Sequence, residues 1–416
     1  MSKPAPIAIV GGGPCGFTFA RLLECAGIDY VVFERDSSAA PSTHHQGGSL
    51  DLHTGTGLAA LEAAGLKTEF DRYARYEGSV FTVQDSKGEN RFTTTPADGG
   101  GKEERPEIDR RQLRGLLLDS LPAHRVRWGK VLEVLERADG SGEGSGEGWV
   151  LKFADGSWES GFRLVVGADG AFSAVRSVIT PAKPIYSGKA SFEGRISQSN
   201  PQYAAALEMV GPGNSVATGD GLNLVVQQMA DRTYRIYAGV VEPDTSLTRA
   251  GGILDFTTDV EKSRSALLDR FAGWAPHLRA FIENAEGPWR VWSLYTFTAD
   301  VFAEGSAWTR APGVTLLGDA AHVALPNGEG VNLAMLDALK LFERLTAELG
   351  SGQEAFDAVA DATAIERAIT TYEIEMRKRA AEHVDDGIMM NDIMFKADGA
   401  ERLTAFFKGF AEGGQS

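Results

Sequence analysis

The chain is 416 residues long, 43% hydrophobic and 24% charged, with a formal net charge of -16. These values fit a globular protein with room for about two domains, and the acidic balance excludes the clustered basic surface that a nucleic-acid partner needs. No run approaches the roughly 18 apolar residues that cross a bilayer, and no charged-then-apolar leader precedes the first apolar strand, so no membrane partner and a cytoplasmic location are expected.

Ile7-Ala8-Ile9-Val10 predicts a buried parallel strand. It runs into Gly11-Gly12-Gly13-Pro14-Cys15-Gly16 and then a helix over 17–26, where Phe17, Ala20 and Leu23 recur at helical steps. Gly27 ends the helix, and a second strand over 29–33 is closed by Glu34-Arg35, completing a βαβ unit. The only cysteines, Cys15 and Cys25, lie here and read as packed small side chains. His44 and His45 fall in the loop that follows. Next come a short helix over 57–64, a hairpin over 76–95, and an amphipathic helix over 111–121 with Leu113, Leu116, Leu117 and Leu121 on one face. Strands over 126–136 and 149–153 flank a Gly/Ser/Glu run at 141–148, which reads as an exposed hairpin tip.

Leu164-Val165-Val166 predicts a strand that ends at Gly167-Ala168-Asp169-Gly170, with Ser173 and Arg176 beyond it. Residues 185–300 change to strand-like alternation, predicting a second sheet with one helix over 265–274 and with Trp289, Trp292 and Tyr295 in its core. A strand over 314–317 returns to the first sheet and ends at Gly318-Asp319-Ala320-Ala321-His322. A helix over 331–349 follows Pro326 and Gly328-Glu329-Gly330. Residues 354–410 predict helices interrupted near Asp386-Gly387 and Asp398-Gly399, the first of them a strut carrying Ile365, Ile369, Tyr372 and Met376.

Gly11-x-Gly13-x-x-Gly16 sits between a strand and a helix, the context a dinucleotide fingerprint requires. Gly11 permits the tight turn, Gly13 lets backbone approach a pyrophosphate, and Gly16 lets helix and sheet pack closely; Pro14 and Cys15 open the helix whose amides face the phosphates. Glu34 is placed to accept from ribose hydroxyls, which suits FAD or NAD and repels a 2′-phosphate. Asp319 adds what NAD would not use, an acceptor at a strand end for ribityl hydroxyls. Gly330, Val331 and Asn332 open a helix whose N-terminus would favour an anionic reduced flavin by up to ~2 kcal/mol. His322 reads as a residue fixing local hydrogen bonds, and the scattered histidines predict no metal site.

Taken together these segments resemble the class A flavoprotein monooxygenases of the para-hydroxybenzoate hydroxylase type, and among them the tetracycline-inactivating monooxygenases and their fungal relatives. Similarity runs through 7–66, 106–121, 165–176 and 314–349 and fades across 185–300. Glu34-Arg35, Gly47-Gly48-Ser49-Leu50-Asp51-Leu52-His53 and Pro106-Glu107-Ile108-Asp109-Arg110 carry it most closely. The implied fold is α/β: a Rossmann-like FAD-binding domain in two parts, 1–184 and 301–350, a second α+β substrate domain over 185–300, and a C-terminal helical element over 351–416. By this resemblance Glu34 and Arg35 hold the adenosine ribose and its neighbours, and Asp51 lies near the flavin ring. Arg110 reaches the phosphate and ribityl region, Asp169 serves both FAD and NADPH, and Asp319 holds the ribityl side. Ser49 and Val131 are counted with the same cofactor set.

The implied chemistry is borne by the cofactor: NADPH or NADH reduces FAD, dioxygen adds at flavin C4a, and the hydroperoxide hydroxylates an aromatic or polycyclic, phenolic or enolic small molecule. No catalytic side chain is therefore named. Pro326 and Gly328 are pocket candidates above the flavin, with Phe192, Glu193, Asn223 and Tyr237 offered from the second domain, where ordinary sheet packing is an equal alternative. The chain departs from the family at Leu325-Pro326-Asn327-Gly328-Glu329-Gly330, which is about one residue short and has glutamate for glutamine. Tyr237 stands where tetracycline-active enzymes place a histidine, and no arginine matches near Ser215, so tetracycline is not the expected substrate. A dehydrogenase or halogenase on the same fold is the alternative, although Trp289-Arg290-Val291-Trp292-Ser293-Leu294 does not match the halogenase Trp-x-Trp-x-Ile-Pro signature. A non-catalytic, redox-gated flavoprotein is the other. A monomer is expected, since no coiled coil is visible.

Overall fold

A computed structural model describes residues 4–40, 47–94, 105–138, 148–349 and 357–413. His44, His45 and most of the expected hairpin tip at 141–148 lie outside the described residues. The strands flanking that tip, Leu132–Arg137 and Trp149–Phe153, pair antiparallel.

Five strands form a wholly parallel sheet in the spatial order Val314–Leu316, Leu164–Gly167, Ile7–Val10, Tyr30–Glu34, Val126–Trp128. Ile7–Val10 and Leu164–Gly167 are buried along their whole length, as expected of strands covered on both faces. Helices Pro14–Cys25, Arg110–Asp119 and Gly330–Leu349 join the core around this sheet. Because every strand runs the same way, the turns after Val10, Glu34, Gly167 and Leu316 all open at one edge. In open parallel sheets that edge is where ligands bind.

A second, seven-stranded sheet runs in the order Glu286–Thr296, Ile185–Ile196, Tyr234–Val241, Leu222–Gln228, Asn214–Gly219, Phe81–Asp85, Asn90–Thr94. The hairpin over 81–94 thus joins it across a parallel pairing with Asn214–Gly219. One face of this sheet is covered by three helices, Tyr203–Val210, Val260–Arg270 and Pro276–Asn284, rather than the single one expected. The expected helix over 265–274 begins earlier because the Asp259 carboxylate caps the amide of Lys262. It stops before Pro276, which opens a new helix at its first position. Trp289 is core as expected, whereas Trp292 is 45% exposed on the edge strand. Cys25 is likewise exposed, not packed.

The expected interruption at 386–387 is absent: Ala358–Met394 is one continuous helix capped by Asp357. Gly387 serves a different purpose, since a Cβ there would stand 2.8 Å from the Leu325 carbonyl oxygen. It admits a loop against the helix instead of ending it. The second interruption is present, and a new helix, Gly399–Gly413, follows it. Ile365, Ile369, Tyr372 and Met376 are all buried, and the Tyr372 hydroxyl donates to the Leu316 carbonyl at 3.0 Å. The far end of this helix reaches the second sheet, where Asp392 pairs with Lys189 at 3.1 Å. Among the described residues no helix is long and apolar enough to cross a membrane.

Candidate functional site

Three sequence-distant turns meet at the open edge of the parallel sheet. Gly11 has a φ of +107°, and a Cβ on it would lie 2.2 Å from the Ala168 carbonyl oxygen, so the first turn rests directly on the second. Gly16 is as constrained, its Cβ position falling 2.0 Å from the Gly11 carbonyl oxygen. Cys15 Sγ donates to the Ala334 carbonyl at 3.0 Å, and a Cβ on Gly318 would touch both Cys15 and Ala334, which joins the first turn to the third. Arg176 closes the triangle, donating to the carbonyls of Ala320 at 2.9 Å and Ala171 at 2.7 Å.

At one end of this edge Glu34 is only 4% exposed. Its carboxylate accepts from the amides of Gly12 at 2.5 Å and Asp36 at 2.9 Å. Each carboxylate oxygen has two lone pairs, so capacity to accept from a ribose remains. Gly12 is as necessary as the fingerprint glycines, because a Cβ there would strike Glu34 and Phe17. By contrast the Cβ direction of Gly13 faces open space, with Pro14 in the first turn of the helix beside it. Arg35 is exposed, and Val131 is 46% exposed one residue beyond Lys130, whose amide donates to the Glu34 carbonyl at 2.8 Å. Sequence reading missed Arg114, which is buried, pairs with Asp36 at 3.0 Å and lies over Phe17 and Trp128. A charged residue inside the apolar face of its helix was the available signal.

Asp169 uses one oxygen to accept from the amides of Ala174 at 2.8 Å and Val175 at 3.3 Å. Burial pushes its pKa up against those bonds, and its other oxygen is buried with no protein partner. Asp319 is exposed at the start of the short helix Asp319–His322. Glu34 and Asp319 end or follow strands that are three places apart, about 14 Å at the usual inter-strand spacing. Behind Asp319, His322 is held as expected: its Nε2 lies 2.5 Å from Asp337, whose other oxygen accepts from Arg379 at 3.1 Å.

Farther along, Ser49–Asp51 pairs antiparallel with Glu107–Asp109 and carries Asp51 toward the N-terminus of Gly330–Leu349. Asn332 ties the two together, donating to the Asp51 carbonyl at 2.9 Å and accepting from the His53 amide at 2.8 Å. Val331 beside it is half-buried, while Gly330 has open space at its Cβ position. His53, which sequence reading had only as part of a motif, stands between Asp51 at 2.7 Å and Glu329 at 3.1 Å. Burial alone would lower its pKa, but hydrogen bonds and charge from Asp51 and Glu329 carry it up to about 9. Ser49 accepts from Arg75 at 2.8 Å, and the side chain of Arg110 fills the space over Gly47.

The face of the second sheet opposite those three helices borders the site, and its far end is covered by helix Gly399–Gly413, which packs on Val83, Val216 and Val225. Strand pairing sets Arg290, Glu193, Tyr237 and Val225 in one cross-strand row, with Asn223 in the next. Tyr237 approaches the backbone of Gly48, and Gln227 accepts from the Ser49 amide at 3.0 Å, so this face abuts the strand bearing Asp51. Glu193 is 2% exposed; burial pushes its pKa up although Trp292 donates to it at 3.1 Å. Phe192 does not belong with them. Strand alternation turns it to the helix-covered face, fully buried against Phe256. Pro326 and Gly328 are exposed, Gly328 with a φ of +89°. Among the described residues no group of three or more ligating side chains is arranged for a metal.

These residues fit FAD. The first turn leaves Gly13 open beside a helix N-terminus, and Asp169 holds a buried acceptor without a donor. Comparison with known proteins agrees. A family described as "FAD binding domain" matches residues 4–189 and 283–386. "Monooxygenase penA" of Penicillium thymicola is 30% identical over 90% of this chain and 91% of its own length. "Monooxygenase asqM" of Emericella nidulans is 31% identical over 91% and 93%. Among solved structures, Klebsiella pneumoniae HpxO complexed with FAD and uric acid superposes with a TM-score of 0.72, at 21% identity, covering 98% of this chain and 93% of that one.

Proposed function

We infer the reaction of this chain from one premise: it belongs to the FAD binding domain family and is an FAD-dependent monooxygenase. Its substrate is a flat aromatic or polycyclic small molecule with phenolic or enolic character, and its reductant is NADPH or NADH. The observation that carries this reading is the meeting of three distant turns at one sheet edge, beside a strand that abuts the second sheet. Three glycine-bearing turns converge at the edge of the parallel sheet, and the polar row Glu193, Tyr237 and Asn223 of the second sheet lies beyond the strand that bears Asp51. A flat molecule such as the uric acid bound to HpxO suits a space between a flavin ring and a sheet face.

When bound, FAD supplies electron transfer from the nicotinamide and activation of dioxygen. This chain's residues bind and orient it. Gly11, Gly13 and Gly16 admit the pyrophosphate to the helix beginning at Pro14, Glu34 and Arg35 hold the adenosine end, and Asp319 holds the ribityl chain. Asp51, Gly330, Val331 and Asn332 border the ring, with Pro326 and Gly328 excluding water above it. Glu193, whose pKa burial raises, is placed to exchange a proton with a substrate hydroxyl or ring N–H. The protein acts as a monomer.

The deciding experiment is a panel of phenolic, enolic and polycyclic compounds scored for stimulated NADPH oxidation, with mass spectrometry for a product heavier by one oxygen. A protein purified yellow, or made so by added FAD, is the expected starting point. Reconstituted enzyme that oxidises NADPH at the same rate with and without every compound, forming no oxygenated product, would refute the assignment.

A further inference from the structure

Loop 326–330 is gripped from two sides. From the C-terminal helix, the Asn391 side chain donates to the Pro326 carbonyl at 2.8 Å and Gly387 admits Leu325. From the opposite side the contact is ionic. His53 is 8% exposed and both of its ring nitrogens meet carboxylates, Nε2 with Asp51 and Nδ1 with Glu329. A neutral imidazole donates from only one nitrogen, so two carboxylates are satisfied together only by the imidazolium.

We propose that His53 is a positioning residue, a charged clasp that fixes Glu329 and its loop to Asp51 at the flavin-ring end of the site. The clasp rests on the reading that FAD occupies this edge. Its parts come from three elements: strand Ser49–Asp51, the segment leading to helix Gly57–Ala63, and the loop entering helix Gly330–Leu349. Among the described residues the charged groups that bear on the imidazole are Asp51 and Glu329, while Asn332 and Thr56 hold the His53 backbone, Asn332 accepting from its amide and the Thr56 hydroxyl donating to its carbonyl. With His53 charged the trio carries one net negative charge, and losing that proton would leave two carboxylates facing each other across a neutral ring. The raised pKa of His53 agrees with this arrangement.

The test uses full-length protein labelled at histidine carbon and loaded with FAD, with the His53 resonance assigned from His53→Gln. The wild-type signal should titrate well above free imidazole, and Glu329→Gln should bring it down by about one pH unit or more. FAD affinity should be non-additive: His53→Gln weakens binding about tenfold, and adding Glu329→Gln recovers part of that loss, because one unpaired carboxylate, that of Asp51, then remains instead of two. The flavin midpoint potential of Glu329→Gln should move positive, since a negative charge has left its vicinity. A wild-type His53 that titrates like free imidazole, or two substitutions whose effects on FAD simply add, would overturn the clasp. Failure of the wild-type chain to bind FAD would instead remove the functional reading, and histidine titration of the same protein without FAD would still decide the clasp.

Discussion

Asp337 lies inside helix Gly330–Leu349 with a fully buried side chain. One oxygen meets His322 Nε2 at 2.5 Å and the Gly318 amide at 3.2 Å, and the other accepts from Arg379 at 3.1 Å. Asp337→Asn keeps the shape and removes the charge, leaving a buried histidine and a guanidinium that is 23% exposed without their counter-ion. Breaking a buried pair in this way costs about 3–5 kcal/mol. The lower end is expected, because Arg379 can partly turn to water. Urea unfolding followed by circular dichroism reads the loss, and retention of FAD reports on the Gly318-Asp319 turn. Arg379→Met should cost less in the Asp337→Asn background than in wild type, since the first change has already orphaned the cation.

The pH dependence has a definite sign. Burial opposes both charges, yet Asp337 carries His322 above 6.5 and His322 with Arg379 holds Asp337 below 3.8. The histidine contribution is therefore complete below 6.5 and fades as pH rises through its folded value, while the Asp337 contribution is complete above 3.8 and fades as pH falls through its own. Wild type and Asp337→Asn should differ most between these limits. A stability cost below about 1 kcal/mol there, the range of an exposed pair, would refute the buried-charge account.

Gly11→Ala should lose FAD and destabilise the chain by about 2–3 kcal/mol, through a left-handed φ and a clash with the Ala168 carbonyl; absorbance of bound flavin and thermal melting check it. Glu34→Ala should weaken FAD by about 1.5–3 kcal/mol without abolishing binding, measured by flavin fluorescence titration. Gly387→Ala should cost about 1–3 kcal/mol by pressing on the Leu325 backbone, with a melting temperature lower than that of a control alanine at an exposed site of the same helix. His53 is raised to about 9, so its stabilisation is whole below 6.5 and lost toward 9. Melting temperatures measured across that interval should fall more in wild type than in His53→Gln.

What the sequence makes legible here follows from how local each constraint is. Gly16 and Glu34 are fixed within a single strand–turn–helix–strand unit, so their types and spacing carry their meaning. Asp337 and Arg114 announce themselves only as charges inside otherwise apolar helix faces, which marks burial but not the partner. Phe192 and Glu193 are neighbours on opposite faces, and the choice between them needs the register of the second sheet. Gly387 imitates a helix stop because a glycine after two aspartates looks the same whether the chain ends there or another backbone passes close by. The His53–Glu329 contact has no local trace, since it joins residues from opposite ends of the sheet-forming chain.

That last contact changes how the loop at 325–330 is understood. Both of its flanks are drawn onto other elements: Leu325 and Pro326 onto the C-terminal helix through Gly387 and Asn391, Glu329 onto His53. The glycine that reads as a defect in a long helix and the glutamate that reads as a departure from a family pattern then serve one purpose. Each anchors the loop, by close packing on one side and by charge on the other. The position of Pro326 and Gly328 is thus set by residues on three separate elements, and on the proposed reading a change to any one should lower FAD affinity more than it lowers the melting temperature.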